Sequence, residues 1–173
     1  PAQAEIIKKE AATRGATMHE ILEKFLLGKL NLDLLGDNSR EKLMADQIIE
    51  RGIRDKVNVI WGCEATLYYP GRHGYAGAAD LICGDYEGKR AIVDFKNSSK
   101  ARQDHWNEDF YLQVSGYIAA HNKVYKTSID QGIILICTKD NFFQRFIIEG
   151  ERLKEYQNKF FERVEQYYSQ KNN

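Results

Sequence analysis

The sequence predicts an α/β fold of the α+β kind, a central mixed β-sheet flanked by helices. Three observations carry this. Apolar residues at helical spacing open and close the chain; three β-prone runs broken by Pro70-Gly71 and Glu87-Gly88 occupy its middle; a further helical stretch separates those runs from a second strand pair. The order α-α-β-β-β-α-β-β-α in 173 residues fits one domain spanning residues 1–173, with a core of ordinary size.

Met18, Ile21, Leu22, Phe25 and Leu26 recur at helical spacing, and Thr13 is the candidate N-cap of that helix. A second helix is predicted from Ser39 to about Val57, with Leu43, Ile49, Ile53 and Val57 as its apolar stripe. Strands follow at Val59 to Tyr69, Tyr75 to Asp85 and Lys89 to Lys96, an antiparallel meander. The next helix runs from about Asn107 to His121. Strands at Gln131 to Thr138 and Phe142 to Glu149 flank a Lys139-Asp140-Asn141 turn. Gly150 introduces a last helix to about Ser169, buried along Leu153, Tyr156, Phe160, Phe161, Val164 and Tyr168.

Lysine and arginine number 25, as do aspartate and glutamate, so no whole-chain basic field recruits a polyanion; a nucleic-acid site must come from local charge. Cys63, Cys83 and Cys137 are odd in number and lie in apolar runs. Buried thiols in a reducing compartment are expected, with no disulfide, zinc or iron–sulfur cluster. Without a secretory segment or an eighteen-residue apolar span, the chain reads as intracellular, cytoplasmic and independent of membranes.

The most informative local pattern is Asp80 followed by Asp94-Phe95-Lys96. If Tyr86, Glu87 and Gly88 form a three-residue loop, pairing is symmetric about Glu87 and Asp80 faces Asp94. Strand alternation then sends Asp94 and Lys96 to one face and Val93 and Phe95 to the other. Two facing carboxylates repel unless a cation neutralises them, and Mg²⁺ takes such oxygen ligands. The lysine is then free to act as a point charge on an anionic transition state. The plainer alternative is a Lys96–Asp94 salt bridge on a half-exposed strand.

Other residues could join this chemistry. In Arg14-Gly15-Ala16-Thr17-Met18-His19, Gly15 permits close backbone approach at a helix start, Arg14 could grip a phosphate, and His19 could offer a nitrogen to a metal. Gln113 and Tyr117 lie one helical turn apart, suited to a base edge, a phosphate or stacking. Glu64 is a further acid on the strand before the hairpin. The polar segment Asn97 to Trp106 holds Ser98, Lys100, Arg102 and an indole, a loop suited to a sugar-phosphate chain. Each also has an ordinary structural explanation, as a solvated helix charge, a structural histidine or a packed ring.

Taken in chain order, Arg14-Gly-x-x-x-His19, Glu64, Gly77-x-x-Asp80, Asp94-x-Lys96 and Gln113-x-x-x-Tyr117 resemble the PD-(D/E)xK nuclease superfamily, in its RecB-like exonuclease branch. Gly74 to Asp80, Asp94 to Ser98 and Leu112 to Tyr117 are most similar to the mitochondrial genome-maintenance exonucleases and their phage or bacterial relatives. The resemblance implies a restriction-endonuclease-like αβββαβ core and a deoxyribonuclease dependent on Mg²⁺ or Mn²⁺. Its substrate would be single-stranded DNA with a free end, and replication, recombination or repair its setting, with a protein partner from one of these processes. It makes Asp80, Asp94 and Lys96 catalytic. It assigns the metal to His19, Asp80, Asp94 and the Phe95 carbonyl, with Glu64 as a further acid. Arg14, Ser98, Lys100, Trp106, Gln113 and Tyr117 would bind nucleic acid. Two rival readings use the same fold: a non-catalytic nucleic-acid-binding module, and a structure-specific endonuclease. Ala79 stands where the family's name has proline, and the chain lacks the four cysteines of the iron–sulfur relatives.

Overall fold

The computed structural model describes residues 2–29 and 38–171. Helix α1 runs from Ala2 to Leu26 without interruption. Thr13 is therefore inside the helix and not its cap: the alanines, glutamates and lysines before it are strong helix formers, and the Thr13 carbonyl accepts from the Thr17 hydroxyl at 3.1 Å. The helix closes in a Schellman arrangement, with Gly28 N donating to Phe25 O and Lys29 N to Lys24 O.

Helix α2, Arg40–Ile48, starts where the sequence places it, since the Ser39 hydroxyl accepts from Lys42 N at 3.3 Å. It ends earlier than expected. One wide π turn at Ile49–Ile53, with Arg54 N donating to Ile49 O, terminates the helix, and Val57 already begins a strand. The buried stripe is Met44, Ala45, Ile48, Ile49 and Ile53, whereas Leu43 lies on the outer face, 41% exposed.

Strands β1 (Val57–Tyr69), β2 (Tyr75–Tyr86) and β3 (Lys89–Ser98) form the meander. A single-turn 3₁₀ helix, Asp104–Asn107, leads into α3, Glu108–Tyr125. Strands β4 (Gln131–Thr138) and β5 (Phe143–Glu149) and helix α4 (Gly150–Lys171) complete the chain. The mixed five-stranded sheet has the order β1-β2-β3-β4-β5. Every residue of β4 is buried, in keeping with its unbroken apolar stretch from Ile133 to Cys137.

The hairpin turn differs from expectation. Glu87 and Gly88 both have left-handed backbone, at φ 49° and 86°, so Tyr86 pairs with Lys89 across a two-residue turn. The extra residue is taken up by a register shift between Cys83 and Tyr86. Beyond it Leu81↔Val93, Ile82↔Ile92 and Cys83↔Ala91 pair symmetrically about Glu87, as the longer loop would also require.

The chain forms two compact units. One comprises Pro1–Lys56, Phe95–Arg102 and Leu135–Arg145; its core gathers Met18, Leu22, Met44, Ile48 and Phe95. The other comprises Val57–Asp94, Gln103–Ile134 and Phe146–Asn173; there α3 packs on β1 and β2 and against α4. Cys83 and Cys137 are buried, and Cys63, expected to be buried too, is partly exposed because β1 shows most of its length to solvent. Among the described residues no helix is long and apolar enough to cross a membrane.

Candidate metal and nucleic-acid site

The strand registers line up three acids. Cys63 pairs with Leu81 and Ala65 with Ala79, which puts Glu64 opposite Asp80. Leu81 pairs with Val93, so the next step of the ladder puts Asp80 opposite Asp94. Glu64, Asp80 and Asp94 thus form one row across β1, β2 and β3. Asp80 is only 9% exposed and Asp94 only 3%. Burying like charges in adjacent positions is costly without a compensating cation.

The row bends at Glu64, whose φ of +47° is left-handed. A non-glycine residue there carries strain of about 1–3 kcal/mol, the kind of distortion that clusters at functional sites.

Tyr117 reports the same convergence from α3. Burial pushes its phenol above the ordinary tyrosine value, and the charges of Asp94, Asp80 and Glu64 push it the same way, against the hydrogen bond from Gln113. Gln113 Nε2 donates to the Tyr117 hydroxyl at 3.0 Å, so the expected one-turn pair is formed. The ring is seated on Gly77: a Cβ there would lie 2.7 Å from Tyr117 Cε1. That explains the glycine three residues before Asp80.

His19 Nε2 lies 2.8 Å from the Phe95 carbonyl oxygen, and the two rings meet edge to face. Gly15 permits this approach, because a Cβ there would fall 2.4 Å from the Asn97 side-chain nitrogen. Gly15 is not at a helix start, however. It sits mid-helix in α1, so Arg14 gains nothing from a helix terminus. Arg14 Nε is buried and makes no hydrogen bond among the described residues; the side chain lines an open pocket of about 450 Å³ with Lys9 and Arg40.

Within its own unit the row offers the carboxylates of Glu64, Asp80 and Asp94, and the other unit carries His19 and the Phe95 carbonyl. The carboxylates of the row are the donor type that suits a hard divalent ion. Lys96, two residues beyond Asp94 on β3, takes the same face by strand alternation and is half-buried.

The remaining candidates are spread out. The Ser98 hydroxyl turns into its own loop, donating to Lys100 O at 2.6 Å, and Lys100 is exposed. Trp106 is 41% exposed on the 3₁₀ turn, its ring met edge-on by His105. The sequence reading missed what fixes that turn: Arg152 pairs with Asp104, which also accepts from the Tyr111 hydroxyl at 2.7 Å. Forty-eight residues separate Arg152 from Asp104, so no local motif announces the pair. The left-handed Glu64 was equally invisible, since glutamate has no preference for that backbone.

No family model and no curated protein matches the chain. Among solved structures it is similar to the crystal structure of a candidate exonuclease from Eubacterium rectale, with TM-score 0.58 and 16% identity, over 91% of this chain and 65% of that one. The chain therefore spans under two thirds of that protein's length. A weaker likeness, TM-score 0.42 at 16% identity, links 61% of the chain to 49% of SSO0001. At such identity the first likeness establishes a shared fold.

Proposed function

We propose that this chain is a metal-dependent deoxyribonuclease, an exonuclease acting on single-stranded DNA with a free end, in the PD-(D/E)xK superfamily and its RecB-like branch. The observation that carries the reading is the row Glu64–Asp80–Asp94 across β1, β2 and β3. The fold shared with a candidate exonuclease supports it.

In this reading His19, Asp80, Asp94, Glu64 and the Phe95 carbonyl hold Mg²⁺ or Mn²⁺. When bound, such an ion lowers the pKa of a water and polarises a phosphoryl oxygen. Lys96 is the catalytic lysine: its ammonium orients the attacking water and stabilises charge gathering on the phosphoryl oxygens. Tyr117, whose raised pKa keeps it protonated, stays a hydrogen-bond donor to phosphate or a face for a base, steadied by Gln113. Arg14 grips a phosphate, and Ser98, Lys100 and Trp106 line the strand's path. A net charge of zero is compatible with a replication or recombination protein that supplies further DNA affinity.

The test is degradation of labelled linear single-stranded, linear duplex and circular DNA with Mg²⁺, with Mn²⁺ and with EDTA. Loss of linear single strands in metal alone, abolished in Lys96→Ala with its fold intact, is expected. Cleaved circles would indicate an endonuclease, and binding without products a non-catalytic module. Wild-type turnover by Lys96→Ala would overturn the assignment.

A further inference from the structure

A second set of side chains, on the outer strand β1 and the end of α3, has the makings of a ligand site of its own. Trp61, Ala65, Leu67, His121, Tyr125 and Thr127 line an open pocket of about 350 Å³, within the size range of small-ligand sites. Its aromatic members form a ladder. The Trp61 and His121 rings are parallel within 9° at 5.9 Å, His121 and Tyr125 are 4.7 Å apart, and the Arg90 guanidinium sits 5.4 Å from the Trp61 ring centre. Tyr125 ends the ladder 59% exposed and Trp61 is 44% exposed, an uncommon display of large aromatic surface.

The hydrogen bonds fix the polarity of the site. Asn122 Oδ1 accepts from Ile129 N at 2.8 Å and from the Thr127 hydroxyl at 2.9 Å. Thr127 has spent its only proton, so at 2.7 Å it accepts from His121, whose Nδ1 carries the hydrogen. Burial holds the His121 pKa below its ordinary value, so the ring is neutral and Nε2 is a bare lone pair. Nε2 makes no hydrogen bond among the described residues. The pocket therefore asks for a flat ring that stacks, with an N–H to give, next to a negative group for Arg90.

We propose that this pocket binds one nucleobase of a single strand, stacked on Tyr125 and donating an N–H to His121 Nε2, with Arg90 facing the adjoining phosphate. The choice of a nucleobase over another heteroaromatic rests on the nuclease reading above; β1 carries both Glu64 of the acid row and Ala65 of the pocket wall. The role is to position the strand at a fixed distance from the acids.

The test is anisotropy of a labelled single-stranded oligonucleotide in EDTA, where nothing is cut, with one abasic site moved along it. Tyr125→Ala, at an exposed position whose folding circular dichroism can check, should weaken binding about five- to a hundredfold, and Tyr125→Phe should not. Wild type should lose affinity at one abasic position only, and Tyr125→Ala should be blind to it. An unsubstituted purine at that position, which stacks but has no edge N–H, should bind less well than adenine. Position-independent abasic effects, or unchanged binding by Tyr125→Ala, would overturn the pocket while leaving the nuclease reading intact if DNA is still degraded. No binding or degradation of any strand would overturn both.

Discussion

Gly77→Ala isolates a single contact that ties β2 to the candidate site. The three heavy atoms nearest a Cβ at position 77 all belong to Tyr117: Cε1 at 2.7 Å, the hydroxyl at 3.3 Å and Cζ at 3.4 Å. Carbon atoms rest at about 3.5–4.0 Å, so the ring must retreat by roughly 1 Å. Overpacking of this kind costs about 1–3 kcal/mol. Against it, alanine stiffens the unfolded chain, worth about 0.4–1 kcal/mol where the backbone is compatible, and Gly77 has no left-handed φ. The net expectation is destabilisation of about 1–2 kcal/mol, read as a lower urea midpoint at unchanged slope. The same substitution in a Tyr117→Ala background meets no ring and should be neutral or stabilising by about 0.5 kcal/mol. That change of sign is the signature of direct contact, measured as a double-mutant cycle. Equal destabilisation in both backgrounds would refute the argument. On labelled single strands Gly77→Ala should also slow degradation, because the displaced phenol is the one the acids face.

Asp104 should give stability an acid limb. The hydrogen bond from Arg152, then that from Tyr111, holds its carboxyl below the usual range. A lowered carboxylate contributes fully above the unfolded value near 4 and loses that contribution as pH falls through the folded value. Asp104→Asn should flatten stability below pH 4 in urea titrations run at several pH values; an unchanged limb would count against the pair. Thiol labelling in the folded state at pH 8 should be confined to Cys63. Burial pushes the Cys83 thiol up to about 12 and Cys137 up to about 11, so both should react only on unfolding, by mass spectrometry of alkylated peptides. Glu64→Gln should raise the melting temperature in EDTA, by removing one of three like charges, and lower it relative to wild type in millimolar Mg²⁺ or Mn²⁺, where a bound ion stabilises the intact row. A difference that ignores metal would mean that Glu64 holds none.

The fold was legible wherever a local rule decides it. β-Prone runs bounded by Pro70-Gly71 and Glu87-Gly88 located the meander strands to within two residues at each end, and Ser39 marked the start of α2. What failed had a non-local cause. The start of α1 was missed because Thr13 looks like a cap, while nothing in its own neighbourhood says that the preceding residues are already helical. The end of α2 is set by a π turn, which the apolar spacing between Ile49 and Ile53 does not distinguish from continued α-helix. In the candidate site, spacing on one strand brought Asp94 and Lys96 together, and helix periodicity paired Gln113 with Tyr117. The approach of Gly15 to Asn97 and of Gly77 to Tyr117 needs packing across elements, which a glycine in a sequence hints at but cannot aim.

The hairpin shows why the acid row was nevertheless readable through a wrong turn. A three-residue loop and a two-residue turn followed by a bulge place one extra residue on the same side of the hairpin, so both give pairing symmetric about Glu87 further along. A one-residue slip without that compensation would send Asp94 and Lys96 to the opposite face from Asp80. The register shift between Cys83 and Tyr86 is thus a requirement of the row: the primed turn that Glu87 and Gly88 adopt would, in an unbulged hairpin, put Asp80 across from Phe95. The bulge restores Asp94 to that position, and with it the only arrangement in which β1, β2 and β3 each contribute one carboxylate to the same line.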